Sequence, residues 1–498
     1  MSEEKSSYRQ IMKATSLFGG VQVFQIIIQI VRSKFIAILL GPTGMGIAGL
    51  LNATIGLIQG LTSFGLGTSA IKNVAEANVA GDDTKISTTV TIVRRLVWIT
   101  GTLGMLITIV FSRWLSELTF GNKEYTLAFI WISTTLLFKQ LTAGHLVVLQ
   151  GLRKLRHLAN ANLIGSFLGL ITTVPVYYFW GIDGIVPGII ITAAVSLILS
   201  WYFSRKTKIN NVHVTNKQTI AEGKNMLTMG FMISLSGLIT LGASYIVRIF
   251  ISSKGDVSEV GLYNAGFAII NTYAGLVFTA MGTDYYPRLS EVADNNSLCK
   301  QKINQQAEIA ILILAPIIVV FLVFIKWIVI ILYSNKFVAV DDMIHWAALG
   351  MLFKAASWSI AFIFLAKGAS RTYFFNELIS NSYTLALNLA GYYYWGLTGL
   401  GISFMIGYFL YLIQMFFVTK KKYNFNFDLP IKKIFLIQFS LATVCFISVK
   451  YLNETPAYLI GGALILLSCL FSLIELDKRL GLRNILNQLK TKYLNRNQ

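Results

Sequence analysis

About fourteen stretches of roughly 18 to 28 mostly apolar residues follow one another along this chain, each long enough to cross the hydrocarbon core of a bilayer as a helix. Inside lipid every backbone N–H and C=O must find its partner within the protein, so such a series leaves room for one architecture, a bundle of spanning helices. Composition agrees: of 498 residues 55% are hydrophobic and 13% charged, with a mean hydropathy of +0.64, outside the range of soluble domains. A soluble enzyme carrying a single membrane anchor is excluded. The spans are expected near 14–40, 47–70, 90–112, 126–150, 158–179, 183–204, 226–252, 258–283, 307–333, 343–366, 372–394, 398–419, 433–450 and 456–475. The polar start from Met1 to Ser7 runs into the first span without a small-residue cleavage site, so that helix reads as retained rather than as a signal peptide.

The formal net charge of +20 would suggest nucleic acid in a soluble protein. Here the cations gather in the short segments between apolar runs, and nucleic acid is not an expected partner. The segments alternate. One class holds Lys72 and Lys85, then Arg153, Lys154 and Arg156, then Arg205, Lys206, Lys208, Lys217 and Lys224, and later Lys420, Lys421 and Lys422. The other holds little beyond Arg113, Lys123, Lys254, Lys336 and Lys450. The positive-inside rule makes the first class cytoplasmic, and an even helix count puts both termini there. The basic tail with Lys478, Arg479, Arg483, Lys490 and Lys492 agrees. Cys299, Cys445 and Cys469 stand far apart, and the four histidines have no ligand spacing, so neither a disulfide framework, a metal nor a cofactor is expected.

The chain resembles itself. "IVR" at 30–32 recurs at 246–248, "LFK" at 137–139 recurs at 352–354, and "YYFWG" at 177–181 returns as "YYYWG" at 392–396, all at an offset of about 215 residues. Six spans separate equivalent points, and an even number inserts both copies the same way up. They read as parallel repeats about an axis along the membrane normal, a transporter design with the substrate site between the halves. The expected division is an N-lobe at 1–207, a C-lobe at 208–422, an added helix pair at 423–476 and a basic cytoplasmic tail at 477–498.

The repeat also pairs the cations that fall within spans. Arg32 corresponds to Arg248, and Lys139 to Lys354. A cation halfway along a spanning helix costs about 2.5 to 3.5 kcal/mol on insertion scales, which is tolerable where it faces water. Together with Lys34 these residues suggest a wet cationic cavity for an anion, and a diphosphate suits them, since arginine offers a planar fork and lysine a mobile point charge. The structural alternative pairs each cation with a buried carboxylate, but the apolar runs hold almost none beyond Glu377 and Asp284. Glu377 stands where the first repeat has Asn162, which makes it a candidate for coupling to a proton or sodium gradient, a partner for Lys354, or an interfacial residue. Gln22, Gln25 and Gln29 share a face of the first helix with Arg32, and Asn52 and Asn264 are repeat-related polar groups, a set suited to lining the cavity or to interhelical hydrogen bonds. The Tyr-rich motifs read as interface belts before sugar platforms.

The stretches "LLGPTGMGIAGLLN" at 39–52, "LYSNKF" at 332–337 and "LFK" through "LAKGASRTYFFNELI" at 352–379 resemble the Wzx-type flippases of lipid-linked O-antigen and enterobacterial common antigen units. These belong to the superfamily of multidrug, oligosaccharidyl-lipid and polysaccharide exporters. The likeness covers roughly residues 10–420. It implies two six-helix bundles forming a V around a cationic cavity in the bacterial inner membrane. It also implies transfer of an undecaprenyl-diphosphate-linked oligosaccharide to the periplasmic leaflet, serving lipopolysaccharide biosynthesis beside a polysaccharide polymerase. The helix pair after residue 430 departs from the shorter members. Two other readings stand beside this one: a multidrug or organic-ion exporter of the same fold, whose cavity should carry carboxylates for cations, and a polytopic polymerase or ligase, which needs a site on a long extramembrane loop that this chain lacks.

Overall fold

In a computed structural model, residues 24–207, 209 and 212–480 are described, and among them the chain is almost wholly helical, with sixteen α-helices and no strand. Gln22, Lys208 and the tail from residue 481, with Arg483, Lys490 and Lys492, lie outside the described residues. Nine stretches of the described chain are long and apolar enough to cross a membrane. Two are double-length, Leu155–Arg205 with 51 residues and Ser370–Tyr423 with 54. At 1.5 Å per residue each would exceed 70 Å if straight, about twice a bilayer core.

Each double stretch is instead a hairpin. In the first, α7 (Leu155–Trp180) gives way at Gly181, with φ 54° and ψ −130°, to a 3-10 turn and then α8 (Ile185–Arg205), which packs back on α7. In α14 (Ser370–Tyr423) the break is Gly396, with φ 55° and ψ −140°, and Ser403 Oγ on the returning arm donates to Leu387 O on the outgoing one at 2.6 Å. A side chain is disfavoured at such dihedrals, which explains the glycine that closes both Tyr-rich motifs. A second pair of turns matches as closely. Arg153 (φ 54°) and Gly368 (φ 63°) each follow a helix, and Lys154 N to Leu149 O and Ala369 N to Phe364 O close the same wide turn, both at 2.8 Å.

Several helices differ in extent from the apolar runs. The expected span at 47–70 is α2 (Gly41–Thr62), followed across positive-φ residues Phe64 and Gly65 by α3 (Leu66–Val79). α4 (Asp83–Val110) begins seven residues early because Asp82 accepts the Thr84 and Lys85 backbone N–H groups as an N-cap. α9 (Asn216–Lys254) likewise starts at a Thr215 cap, ten residues before the predicted edge. Polar turns that project into water extend a helix without adding to its hydropathy. α5 (Ser112–Phe120) and α6 (Thr126–Gly151) follow α4. The expected span at 258–283 is interrupted: α10 (Val257–Ala268) passes through a π-helical turn, Ile269–Ala274, into α11 (Leu276–Ser290).

The chain divides into two compact units, residues 1–262 with 332–336, and residues 263–331 with 337–498. The first is built on Val93, Val97, Val147 and Val148, where α4 meets α6, and on Leu51, Ile55, Phe129 and Ile132 between α2 and α6. Within it Gly46 and Gly261 allow α2 and α10 to touch: a Cβ at Gly46 would meet Val257 O, and one at Gly261 would meet Pro42 O. In the second unit, Ile303 of α12 (Asn296–Leu332), Ile360 and Phe364 of α13 (Asp341–Ala366) and Met415 of α14 form the core. The C-terminal helices α15 (Leu429–Tyr451) and α16 (Glu454–Leu480) pack on each other through a buried amide lock, Gln438 Nε2 donating to Ser472 Oγ and accepting at Oε1 from Ser468 Oγ. α16 is tied to α12 by Arg479, whose Nε lies 2.5 Å from Glu308 Oε2.

Candidate functional site

The first described helix, α1, covers residues 24–39. Its large apolar side chains Phe24, Ile27, Val31, Phe35 and Ile38 are exposed, a lipid-facing stripe at helical spacing. Gln25, Gln29 and Arg32 occupy the other face, at i, i+4 and i+7, and line a cavity of about 500 Å³ within the first unit. The remaining walls come from α6, α7 and α8, which supply Thr142, Asn162, Ser166, Thr192, Ser196 and Ser200. Apart from Arg32, the polar lining is made of amides and hydroxyls, with no carboxylate.

Arg32 is positioned by one hydrogen bond, Nη2 donating to Thr192 Oγ1 at 3.0 Å. Thr192 in turn donates to Gly188 O, so its lone pairs are left for the guanidinium. Ser196 and Thr142 satisfy their own protons in the same way, on Thr192 O and Phe138 O. A guanidinium carries five N–H groups, and among the described residues Arg32 commits one to a neutral oxygen and none to a carboxylate. Lys139 lies one turn before Thr142 on α6, mostly shielded from solvent and near enough to Arg32 for the two positive charges to act on each other. Among the described residues the two like charges have no carboxylate beside them, which leaves this side of the cavity positive.

Lys354 belongs to the second unit and has its own surroundings. Its Nζ donates to Asn271 Oδ1 at 3.1 Å and stands over the rings of Tyr408 (5.1 Å to the centroid), Phe278 and Phe404 (both 5.8 Å). Asn271 sits in the π-helical turn, whose widened backbone brings its amide to the lysine. Neither Lys139 nor Lys354 has a carboxylate within ion-pairing distance among the described residues. Asp284 is engaged by Arg288 at 2.8 Å. Glu377 accepts from Tyr411 OH at 2.7 Å, a contact between the two arms of the α14 hairpin, rather than from Lys354.

The other sequence-derived candidates scatter. Arg248 on α9 donates back to Ser244 O at 2.9 Å and to its hydroxyl. Lys34 is half-buried on α1 outside the cavity lining. Asn52 is exposed on α2 and bonds Ala48 O one turn earlier, and Asn264 is half-buried on α10 in the second unit. Sequence reasoning missed Thr192, Ser196, Asn271 and Tyr411. Thr192, Asn271 and Tyr411 lie far along the chain from the residues they serve, and a hydroxyl or amide in a span has no hydropathy signature. Among the described residues no group of histidine, cysteine or acidic side chains is placed to hold a metal.

Comparison with known proteins adds a family to this geometry. Lipid III flippase from Escherichia coli (strain K12) is 21% identical over 388 residues, 76% of this chain and 90% of that protein, and the Shigella flexneri protein of the same description matches equally. Among solved structures, Lipid II flippase MurJ in its inward closed conformation superposes with a TM-score of 0.74 at 14% identity, over 93% of this chain and 99% of MurJ. An inward-facing multidrug resistance MATE family transporter of the MOP superfamily gives 0.63 at 14% identity, over 82% and 96%. These proteins are described as flippases or transporters, not as enzymes, and the structural matches show that the chain shares their all-helical membrane fold. The family model for polysaccharide biosynthesis proteins matches residues 35–342, more than half of the sequence, and the chain belongs to that family.

Proposed function

We propose that this protein is a flippase that carries an undecaprenyl-diphosphate-linked oligosaccharide, an O-antigen-type repeat unit, from the cytoplasmic to the periplasmic leaflet of the bacterial inner membrane. The observation that carries the reading is the cavity in the first unit. Arg32, with Lys139 nearby and no carboxylate in the lining, suits a diphosphate, and the hydroxyls and amides around it suit sugar hydroxyls. The E. coli relative, described as Lipid III flippase, supports a lipid-borne substrate. Lys354 is a second cationic station, in which Asn271 and three rings hold the ammonium without neutralising it.

In this reading the diphosphate visits these cations during alternating access while the polyprenyl tail stays in lipid. Helices α1, α9 and α10 with α11 complete the fourteen crossings, and both termini face the cytoplasm. Glu377, held by Tyr411 across the α14 hairpin, is the group that exchanges a proton or sodium ion. A polysaccharide polymerase would consume the product on the far side. An exporter of organic cations would need carboxylates where Arg32 and Lys139 stand, which argues against that alternative.

The test is leaflet transfer of a labelled undecaprenyl-diphosphate oligosaccharide in proteoliposomes, comparing the wild type with Lys139→Gln and Lys354→Gln. Transfer by the wild type that falls at least tenfold in both variants is expected. Normal transfer in both, with insertion unchanged, overturns the assignment of these residues.

A further inference from the structure

The first unit has a second recess that shares no lining residue with the Arg32 cavity. Helix α8 separates the two. Its Thr192, Ser196 and Ser200 face the first, whereas Leu197, Trp201 and Arg205, on the other side of the helix, face a groove of about 500 Å³ that α4 and α6 complete. The groove has two parts of different chemistry. Val97, Leu141, Leu197 and Ile198 make an apolar wall, and its rim carries Arg94, His145, Ser204 and Arg205. Gly144 lets α6 approach α4 closely, a Cβ there lying 2.9 Å from Val97, so the floor is side chain packed on backbone.

Among the described residues the cations of the rim have no acidic partner. Arg94 is half-buried, Arg205 ends α8, and the groove contains no aspartate or glutamate. Among the described residues neither arginine is ion-paired. The Arg205 guanidinium lies over the Trp201 ring, 4.8 Å from its centroid, and Arg94 is close enough to His145 to act on it electrostatically. Trp98 and Trp201 are 54% and 46% exposed and Ile198 is 60% exposed, so the groove opens sideways toward lipid. It lies at the end of α8 where Lys206 follows and at the end of α6 where Arg153, Lys154 and Arg156 follow, on the arginine- and lysine-rich side of the membrane.

We infer that this groove is a binding site for an anionic glycerophospholipid of the cytoplasmic leaflet, with its phosphate between Arg94 and Arg205 and an acyl chain along Val97, Leu141, Leu197 and Ile198. The leaflet rests on the charge asymmetry of the loops, but the lipid site itself does not depend on what the protein transports. Basic recesses between spanning helices, beside tryptophan at the interface, recognise anionic headgroups by charge while the wall accepts any chain. A zwitterionic lipid would bring a third cation to a rim that already holds two.

The experiment titrates phosphatidylglycerol and phosphatidylcholine against the purified full chain by native mass spectrometry. Phosphatidylglycerol should bind the wild type in preference to phosphatidylcholine. The Arg94→Gln/Arg205→Gln double variant should bind it about thirty-fold more weakly, as expected for two interfacial arginines, and the double lysine variant should recover much of that loss. A folded double glutamine variant with wild-type preference overturns the proposal. So does a site that takes undecaprenyl diphosphate but not phosphatidylglycerol, since it would then belong to the substrate. If the glutamine variant does not fold, the wild type gives the answer through fluorescence. Phosphatidylglycerol with brominated chains should quench the emission removed by Trp98→Phe and Trp201→Phe more strongly than brominated phosphatidylcholine at equal mole fraction, and equal quenching refutes a preference.

Discussion

Replacing Lys139 by glutamine should make this protein harder to melt and poorer at transport. The lysine lies about 20 Å from the Thr126 end of α6 and about 18 Å from the Gly151 end, at mid-depth. A lysine there costs about 2.5 to 3.5 kcal/mol on insertion scales. Its partial exposure returns part of this, and the like charge of Arg32 adds to what remains. With no carboxylate among the described residues to be stranded by the change, the variant should be stabilised by about 1 to 2 kcal/mol, the residual charge penalty. The same change removes a charge-assisted contact to a diphosphate, worth about 1.5 to 3 kcal/mol, or roughly a ten- to hundred-fold loss of affinity. Thermal melting of the purified protein in detergent reads the first effect, and transfer in proteoliposomes below saturation reads the second. A lower melting temperature would refute the reasoning, because it would mean that the ammonium holds the helices together rather than waiting for an anion.

The other expectations concern the framework and the coupling. Gly396→Ala should destabilise the α14 hairpin by about 1 to 3 kcal/mol, the strain of a side chain at those dihedrals, and Gly181→Ala should do the same for α7 and α8; thermal melting checks both. Arg479→Gln leaves Glu308 and Glu475, 12% and 18% exposed, without their shared partner, and should cost about 3 to 5 kcal/mol, whereas Arg479→Lys should restore part of it. Glu377→Gln should uncouple transfer from the imposed ion gradient while Tyr411→Phe only weakens the dependence; a Glu377→Gln variant with full gradient dependence removes that residue from coupling.

What the sequence made legible followed from periodicity and charge. Gln25, Gln29 and Arg32 share a face of α1 because 25, 29 and 32 lie within a helical stripe, and that stripe lines the cavity. The absence of acids in the apolar runs foretold that Lys139 and Lys354 have no ion-pair partner among the described residues. The partners that place these cations were beyond such reasoning. Thr192 reaches Arg32 from a helix 160 residues away, and Asn271 reaches Lys354 from a π-helical turn that hydropathy reads as continuous helix. Helix ends were displaced for a related reason: Asp82 and Thr215 cap helices in water, where no apolar run marks the start. Glu377 resisted assignment because its contact with Tyr411 depends on how the α14 hairpin aligns its two arms.

The turns at Arg153 and Gly368 adopt one conformation with different residues. The molecule therefore carries a reference for its own repair, since wherever two such turns coincide, one shows a residue that the other would accept. Arginine at positive φ bears about 1 kcal/mol of steric strain that glycine does not. Arg153→Gly borrows its residue from the matching turn and is the first substitution an engineer seeking a sturdier form of this protein should make.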